Sequence, residues 1–376
     1  MKNVFLIIDP KSHIRNQISV LSRHQRYAEE LIAASNNSTL LAVLSLGYYG
    51  DVQLEKKNNI WLIYFPLNIK GIIANYKLFR LKLLELGFIR LLISGDPGLG
   101  AVIVFTLRKI FFKGSLIEIQ VHADIGDKAW RRINLFNSLK YTLAGLTLRR
   151  ADQIRCVSSM QAHKIFSRLP SIVSKTVVIP IASSLESQSV NLNLEIDRPF
   201  SIGFVGRIHE DRGINRFLEV IEQINLKRQD FTVVVVGSGP KSQEFLNALE
   251  TRVGTHRILN YHEIEPQNMG QIWNQIGVLL SCPQAESFGR TLREAISFGV
   301  PIWISPTSGG LEFTETLKSE YFQILEPVLD AEKLAQQFMS LSKIKIDYDS
   351  ANKIVSENSS FTRKLIDSWL KLAEIK

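Results

Sequence analysis

Short runs of apolar residues recur along almost the whole chain, and stretches with helical spacing separate them. Most runs are continuously apolar, which is typical of strands buried on both faces of a parallel sheet. Segments between them, such as INRFLEVIEQINL at 214–226, place apolar residues on one helical face. This repetition predicts doubly wound α/β domains. The predicted strands cover 4–8, 40–46, 60–65, 90–94, 116–122, 153–158, 176–180, 200–206, 231–237, 257–261, 278–282, 300–305 and 321–325.

A length of 376 residues suits two medium-sized domains. A polar stretch rich in Ser and Asn at 182–199 has no sustained period and predicts the boundary. We therefore expect two Rossmann-like domains facing each other across a cleft, with ligands at the carboxyl ends of the strands. The predicted divisions are an N-terminal domain at 1–183, a linker at 184–199, a C-terminal domain at 200–355, and a last helix at 356–376 that can cross back to the N-terminal domain.

The composition is that of an ordinary globular protein, with 45% apolar and 22% charged residues. No apolar run reaches the roughly 18 residues of a membrane-spanning helix, and the run before Asp9 is too short for a signal peptide. Cys156 and Cys282 lie far apart in predicted strands, so they predict neither a disulfide framework nor a metal cluster. We expect a cytoplasmic protein.

The charge is unevenly distributed. Residues 1–197 carry 25 Lys and Arg against 14 Asp and Glu, whereas the remainder carries 20 against 22. A basic half beside a near-neutral half predicts different partners for the two. Segments 75–92 and 128–150 mix Lys and Arg with large apolar residues, so they can lie on an anionic membrane surface. The alternative is core-facing helices with solvated basic outer faces.

The sequence GFVGRIHEDRG at 203–213 joins the end of a predicted strand to the start of a predicted helix. Arg207 and Arg212 flank the turn, and a helix N-terminus with two guanidinium groups is suited to bind a pyrophosphate. The alternative is a surface turn with two solvated arginines. In VVVVGSGP at 233–240, Gly237 and Gly239 let the backbone approach a ligand closely, although the third glycine of a dinucleotide fingerprint is missing.

The strongest motif is SCPQAESFGRTLREAISFGVPIWIS at 281–305, which predicts a strand, a loop and a helix that begins near Phe288. Glu286 lies in the loop, where a helix N-terminus favours an ionised carboxylate that can bind sugar hydroxyls. Glu294 lies eight residues on and can bind a second pair of hydroxyls, such as those of ribose. Two solvated glutamates on an amphipathic helix are the alternative.

Three further turns are candidates for ligand contacts. Gly309 and Gly310 belong to TSGG at 307–310, where successive backbone N–H groups can form an anion nest. His122 ends an apolar strand and is expected to point into the ligand crevice, although a lone histidine is commonly structural. GDPGLG at 95–100 is a strand-to-helix turn that can be purely structural.

Together these residues resemble the retaining glycosyltransferases of family 4, which have the GT-B fold. The resemblance covers nearly the whole chain and is strongest over 200–312. It implies that Arg207, Arg212, Gly309 and Gly310 contact the donor diphosphate, that Gly237, Gly239 and Glu294 contact the nucleotide, and that Glu286, Phe288 and Gly289 contact the donor sugar, with His122 and Glu286 as catalytic residues. Arg212 replaces the family's lysine, and the loop at 8–17 lacks the family's glycines.

The resemblance implies a hexosyl transfer with retention, without a cofactor or a metal, from a UDP- or GDP-linked sugar to a glycan or lipid-linked acceptor in cell-surface polysaccharide synthesis. Positive charge from Arg207, Arg212 and helix N-termini would neutralise the leaving diphosphate. The Asp-x-Asp at 347–349 falls between late helices and is interpreted as surface. The basic segments of the N-terminal half further predict peripheral attachment at the inner face of the plasma membrane.

Other functions remain open at this stage. A nucleotide-sugar epimerase of the same fold needs no acceptor, and a phosphorylase would need a pyridoxal-phosphate lysine, for which no candidate stands out. A non-catalytic partner subunit that binds nucleotide sugars is the alternative outside enzymology. A nucleic-acid-binding module is disfavoured because the basic residues follow no recognised binding motif.

Overall fold

The structure is a computed structural model that describes residues 2–47, 52–66, 69–182, 199–262, 264–265, 268–315, 317, 319–344 and 348–375. The chain divides into an N-terminal unit, Met1–Pro180 with Ser360–Lys376, and a C-terminal unit, Ile181–Ser359. The predicted linker at 184–199 lies outside the described residues except for Pro199, and so does Asp347. No helix in these ranges is both long and apolar enough to cross a bilayer.

The N-terminal unit contains one eight-stranded sheet in the order β3-β4-β2-β1-β5-β6-β7-β8. All neighbouring pairs are parallel except β3 and β4. The prediction missed β3, because its sequence QLEKK is polar and mostly exposed at the sheet edge. The strands are β1 (Asn3–Asp9), β2 (Thr39–Leu46), β3 (Gln53–Lys57), β4 (Ile60–Phe65), β5 (Phe88–Ser94), β6 (Leu116–Val121), β7 (Gln153–Cys156) and β8 (Thr176–Val178).

Helices cover both faces of this sheet. Alternate residues of β1 belong to separate cores: Val4 and Ile8 pack with α4 and α6, whereas Phe5 packs with α2. Burial on both faces explains why the strands are continuously apolar. The helices are α1 (His13–Asn16), α2 (Ile18–Ala34), α3 (Ile69–Leu86), α4 (Leu99–Ile110), α5 (Lys128–Arg132), α6 (Leu135–Arg150) and α7 (Ser159–Phe166).

The C-terminal unit contains a six-stranded parallel sheet in the order β11-β10-β9-β12-β13-β14. Counted from its own first strand, this is the 3-2-1-4-5-6 order of a Rossmann fold, in which the strand order reverses between β9 and β12. The strands are β9 (Ser201–Val205), β10 (Thr232–Val236), β11 (Ile258–Tyr261), β12 (Val278–Ser281), β13 (Ile302–Ile304) and β14 (Phe322–Ile324). The helices are α8 (Ile214–Asn225), α9 (Ser242–Val253), α10 (Met269–Trp273), α11 (Arg290–Ser297), α12 (Ser308–Leu311) and α13 (Ala331–Ser342).

The last helix, α14 (Tyr348–Leu372), is 25 residues long, and its part from Ser360 onward belongs to the N-terminal unit. Trp369 is fully buried there, with edge-to-face contacts to Phe5 and Tyr27. Its indole Nε1–H donates to Oε1 of Glu118 in β6 at 2.8 Å. Both the apolar stripe of the helix and this hydrogen bond therefore hold the chain's C-terminal segment on the first sheet.

Candidate active site

Four turns meet at the carboxyl edge of the C-terminal sheet, after strands β9, β10, β12 and β13. The first two are held together by Gly206 N–H, which donates to the Val236 carbonyl at 2.9 Å, and by Ile208 N–H, which donates to the Ser238 carbonyl at 3.0 Å. A Cβ on Gly237 would lie 2.1 Å from the Gly206 carbonyl oxygen. Gly237 therefore lets one turn pack on the next, whether or not it also touches a nucleotide.

Gly239 has the same structural role one step further along the turn. A Cβ there would lie 2.2 Å from the carbonyl oxygen of Ile208. Its N–H is engaged within the protein in this conformation, because it donates to Oγ of Ser242 at 2.8 Å. The contacts of Gly237 and Gly239 with a nucleotide stay predictions. Both glycines are required in any case, because the turn after β10 packs closely on the turn after β9.

Gly213 brings the start of α8 against the end of β12. It has a φ of 71°, and a Cβ there would lie 1.7 Å from the Cys282 carbonyl oxygen. The preceding 3₁₀ turn, Glu210–Arg212, presents the Arg212 side chain toward the loop after β12. There the guanidinium Nη1 donates to Oε2 of Glu286 at 2.7 Å. Residues 74 positions apart thus meet at the switch point of the sheet.

Glu286 also stabilises the loop in which it lies. Its Oε1 accepts from the backbone N–H groups of Phe288 and Gly289 at 3.4 and 3.3 Å. Its backbone carbonyl accepts from Gly309 N–H at 2.7 Å, which ties the β12 loop to the β13 loop. The side chain is 20% exposed, so the carboxylate can still meet a ligand. Glu286 is thus fixed by N–H donors on one oxygen and by a cation on the other.

Arg207 lies on the same turn as Arg212 and is 56% exposed. Its Nη2 donates to Oδ2 of Asp211 at 2.5 Å. Each arginine of the predicted diphosphate site is therefore paired with a carboxylate in this structure. A bound diphosphate would have to replace Asp211 and Glu286 as the anionic partners, or share the guanidinium groups with them. The sequence prediction did not include Asp211, although its spacing of four from Arg207 was a visible signal.

The expected anion nest at 307–310 is not seen. Thr307 caps the short helix α12, and its Oγ1 accepts from Gly310 N–H at 3.2 Å, while Gly309 N–H donates to Glu286. Both N–H groups predicted to face the diphosphate are therefore engaged within the protein. Gly309 is needed for packing, because a Cβ there would lie 2.6 Å from the Phe288 backbone. Direct contact of these glycines with a diphosphate stays a prediction.

Helix α11 begins at Arg290, two residues later than predicted, because Gly289 has the left-handed φ of 73°. Glu294 consequently lies in the second turn. Burial raises the pKa of its carboxyl, and the Arg290 charge opposes that rise. The two carboxyl oxygens can bind a pair of vicinal hydroxyls.

Arg293 is a further site residue that the sequence prediction missed. It is only 9% exposed and lies between two aromatic rings, with its guanidinium carbon 4.1 Å from the Phe288 ring centre and 5.0 Å from that of Phe313. These contacts hold the Phe288 ring behind the Glu286 loop. The available signal was a charged residue on the apolar face of an amphipathic helix, between Leu292 and Ile296.

The N-terminal unit holds the remaining predicted residue, His122, directly after β6. Its Nε2 lies 3.1 Å from Oε1 of Gln120, whose Nε2 donates to Oε1 of Glu118 at 2.9 Å. Because the Gln120 amide must point its N–H group at the carboxylate, its oxygen faces the ring and accepts. His122 is therefore the tautomer that carries hydrogen on Nε2. The C-terminal helix extends this series of hydrogen bonds, because the Trp369 indole N–H donates to Glu118.

Acidification is expected to destabilise the N-terminal unit. Burial, aided by the charges of Arg155 and Arg23, lowers the pKa of His122 to about 3, and burial lowers that of His24 to about 4. Both histidines titrate near 6.5 in an unfolded chain, so the unfolded state binds more protons between about pH 6.5 and 4, and stability falls as the pH falls through that window. The slope for each histidine is at most about 1.4 kcal/mol per pH unit.

This pH dependence is tested by the thermal unfolding midpoint between about pH 7 and 5.5, a range above the titration of ordinary carboxylates. The midpoint of the parent should fall more steeply than that of a variant with His24→Gln and His122→Gln. Parallel pH profiles would show that the two histidines do not carry the effect.

The turn at 95–100 is structural in this conformation. Asp96 caps the start of α4, where its carboxylate oxygens accept from Gly98 N–H at 2.7 Å and from Gly100 N–H at 3.2 Å. These bonds use both oxygens of the side chain. Within the ranges that the structure describes, no group of three or more His, Cys, Asp or Glu is arranged to hold a metal ion.

Residues 190–359 match the family model described as Glycosyl transferases group 1. A curated relative is the phosphatidylinositol N-acetylglucosaminyltransferase gpi3 subunit of Schizosaccharomyces pombe, which is 25% identical over 236 residues, 63% of this chain and 49% of the relative. The chain thus matches about half the length of this relative, and smaller fractions, 24% and 26%, of two others.

Solved structures resemble the whole chain. The sucrose-phosphate synthase of Thermosynechococcus elongatus has a TM-score of 0.68 at 18% identity and covers 99% of this chain and 96% of its own. HepE of Anabaena, in complex with UDP and glucose, has a TM-score of 0.63 at 15% identity and covers 97% and 99%. At such identities the likeness concerns the fold, and it confirms the predicted α/β architecture of two Rossmann-like domains of the GT-B type. Residues 190–359, which match the glycosyl transferases group 1 model, also hold the Arg212–Glu286 contact.

Proposed function

We propose that this protein is a retaining glycosyltransferase that moves a hexose from a UDP- or GDP-linked donor to a glycan or lipid-linked acceptor in cell-surface polysaccharide synthesis. The observation that carries the proposal is the 2.7 Å contact between Arg212 and Glu286, at the switch point of a sheet whose domain matches the glycosyl transferases group 1 family. A cation for a phosphate and a carboxylate for sugar hydroxyls lie side by side there, as a sugar diphosphate requires.

In this proposal the donor lies along the carboxyl edge of the C-terminal sheet. Its diphosphate contacts Arg207 and Arg212, both of which are substantially exposed. Its sugar contacts Glu286, and its ribose contacts Glu294, whose two carboxyl oxygens can bind vicinal hydroxyls. These assignments agree with the resemblance of the sequence to glycosyltransferase family 4.

The reaction breaks the bond between the anomeric carbon and the diphosphate oxygen and forms a bond from that carbon to an acceptor hydroxyl oxygen. Negative charge develops on the departing diphosphate, and the guanidinium groups of Arg207 and Arg212 would stabilise it without a further cofactor or a divalent cation. Retention follows if the hydroxyl attacks from the side on which the diphosphate leaves. The hydroxyl proton then passes to the leaving phosphate oxygen.

His122 is proposed to bind the transferred sugar as a neutral imidazole. With hydrogen fixed on Nε2 by Gln120, its Nδ1 is the acceptor, but this atom is buried, so a sugar hydroxyl reaches it only if the ring or its neighbours shift. A pKa of about 3 keeps the ring neutral throughout the physiological range. The role is therefore one of positioning a hydroxyl, and the ring is not a general acid.

Two of the similar proteins support the choice of donor and acceptor. HepE was solved with UDP and glucose, which favours a UDP-linked hexose as the first donor to test. The fission-yeast relative is named for phosphatidylinositol, which favours an acceptor that carries a lipid. We propose accordingly that the reaction takes place in the cytoplasm, at the inner face of the plasma membrane.

A panel of UDP- and GDP-linked hexoses tests the proposal. Each donor is added to the protein with lipid-linked and free glycan acceptors, and both nucleoside diphosphate release and the anomeric configuration of the product are recorded. We expect one donor to raise the unfolding temperature and to be consumed only with an acceptor. Conversion of the donor without any acceptor would indicate an epimerase, and donor binding without turnover would indicate a non-catalytic subunit.

A further inference from the structure

One surface of the N-terminal unit combines exposed apolar side chains with unpaired basic ones. Helices α4 and α6 lie side by side on the same face of the sheet, where Thr147 Oγ1 of α6 donates to the Pro97 carbonyl before α4 at 2.7 Å. Their outer sides and the short helix α5 form what we call the basic apolar face. Its exposed members are Val102, Lys109, Lys128, Arg132, Leu135, Phe136, Leu139, Lys140, Leu146 and Arg150.

The apolar residues of this face protrude far into solvent. Leu135, Phe136 and Leu139 are 88%, 74% and 66% exposed, and they follow one another at the start of α6. Large apolar side chains scattered singly on a surface need no explanation, whereas a cluster of them marks a surface that contacts something else. The cluster begins where α6 begins, at the N-cap Asn134.

The charge around this cluster has one sign. Residues 128–150 contain six Lys and Arg and no Asp or Glu. None of these six basic side chains forms an ion pair with another described residue. Lys128, Arg131 and Arg132 line a concave site of about 590 Å³ that Leu135 borders. A ring of cations beside protruding Leu and Phe side chains is suited to bind phosphate groups that lie next to hydrocarbon.

We propose that the basic apolar face docks on an anionic lipid bilayer, with Leu135, Phe136 and Leu139 inserted among the lipids and the surrounding Lys and Arg on the phosphates. Charge complementarity selects this occupant. A second copy docked by the same face would bring like charges together, which disfavours a symmetric dimer. Nucleic acid would not cover three large aliphatic and aromatic side chains that point outward from one helix start.

The face is connected to the end of β6, where His122 lies. Asp127 caps α5, where its Oδ1 accepts from Ala129 N–H at 2.7 Å, and its other oxygen binds Lys164 of α7. Only five residues separate His122 from Lys128. A lipid-linked acceptor held by the docked face would thus be delivered to the strand end that carries His122. This last consequence depends on the proposed function, whereas the bilayer docking does not.

Vesicle flotation tests the docking. The parent protein is mixed with phosphatidylcholine vesicles that contain about 30% phosphatidylglycerol, or none, at about 50 and 500 mM salt. We expect flotation only with the anionic vesicles at low salt. Leu135→Ser with Phe136→Ser and Leu139→Ser should reduce the bound fraction at least tenfold. Lys128→Gln with Arg132→Gln and Lys140→Gln should weaken partitioning about fivefold for each charge removed.

Matched controls come from surfaces outside the face. Leu226 and Val328 are 68% and 80% exposed in the C-terminal unit, and Lys364 and Lys371 are exposed on α14. Leu226→Ser with Val328→Ser, and Lys364→Gln with Lys371→Gln, should leave flotation unchanged. Far-UV circular dichroism and the thermal shift by a nucleotide sugar verify that each variant is folded, and they report on the proposed function separately.

Three outcomes would overturn the docking proposal. The parent could fail to float with anionic vesicles at low salt, or the Leu135→Ser, Phe136→Ser, Leu139→Ser variant could float as well as the parent. Light scattering could also show a parent dimer that this variant converts to a monomer, which would make the face an interface between copies. Loss of vesicle binding with normal sugar transfer to a water-soluble acceptor would leave the proposed function standing.

Discussion

Replacing Glu286 by Gln is expected to lower sugar transfer by about 10²- to 10³-fold, the typical cost of removing one preorganised group that acts on the transition state. The substitution keeps the shape of the side chain but removes the charge that Arg212 contacts at 2.7 Å. It also places an amide N–H where one carboxylate oxygen now accepts. The measurement is the rate of nucleoside diphosphate release with donor and acceptor both saturating.

The matched control is the ion pair between Arg216 and Glu219 on α8, away from the turn. The Arg216 Nη1 atom lies 3.0 Å from Oε2 of Glu219, a distance similar to that between Arg212 and Glu286. Glu219→Gln should leave the rate within about twofold of the parent, as expected for an exposed ion pair. If Glu286→Gln also retained the rate within a few fold, Glu286 would be only a loop-capping residue, and the proposed catalytic role would be wrong.

Replacing Glu118 by Leu is expected to destabilise the N-terminal unit by about 3–5 kcal/mol, because it leaves buried N–H donors without their acceptor. The carboxylate is completely buried and accepts from Trp369 and Gln120 at 2.8 and 2.9 Å, and from Gln153 at 2.7 Å. Urea unfolding followed by far-UV circular dichroism measures the loss. Glu29→Leu, an exposed position of α2, should change the unfolding free energy by less than about 0.5 kcal/mol.

The Glu118→Gln variant distinguishes the contribution of the Glu118 hydrogen bonds to stability from the contribution of its volume. The amide has the same shape, but its NH₂ group must face one of the three donors, so the variant is expected to lose roughly half as much stability as Glu118→Leu. A Glu118→Gln variant as stable as the parent would show that the carboxylate only fills space. Sugar transfer should fall in Glu118→Leu, since Gln120 there loses the acceptor that orients it toward His122.

Much of the fold could be predicted from the sequence, because strands that are buried on both faces are continuously apolar. Strands such as β2, TLLAVLSL, are buried along their whole length and were recognised as parallel core strands. The edge strand β3 was missed because QLEKK is mostly exposed and has the composition of a loop. Its antiparallel pairing with β4 depends on tertiary placement that local sequence does not encode.

The candidate site was less completely predicted. Arg212, Glu286 and Glu294 could be selected because turns after buried strands concentrate ligand contacts. The hydrogen-bond network behind His122 could not be predicted, because it runs from Gln120 through Glu118 to Trp369, more than 240 positions away. The sequence also did not predict that the Gly309 N–H donates to the Glu286 carbonyl. Sequence patterns identified the side chains, whereas their hydrogen bonds required the three-dimensional structure.

The central claim is that the two arginines of the β9 turn bind a diphosphate, and calorimetric titration tests it most directly. UDP and GDP are titrated into the parent and into a variant with Arg207→Met and Arg212→Met, with UMP and GMP as ligands that lack the second phosphate. We predict that the parent binds at least one diphosphate about tenfold or more tightly than its monophosphate, and that this difference disappears in the variant. An equal preference in both proteins, or no binding of either diphosphate to the folded parent, would contradict the account.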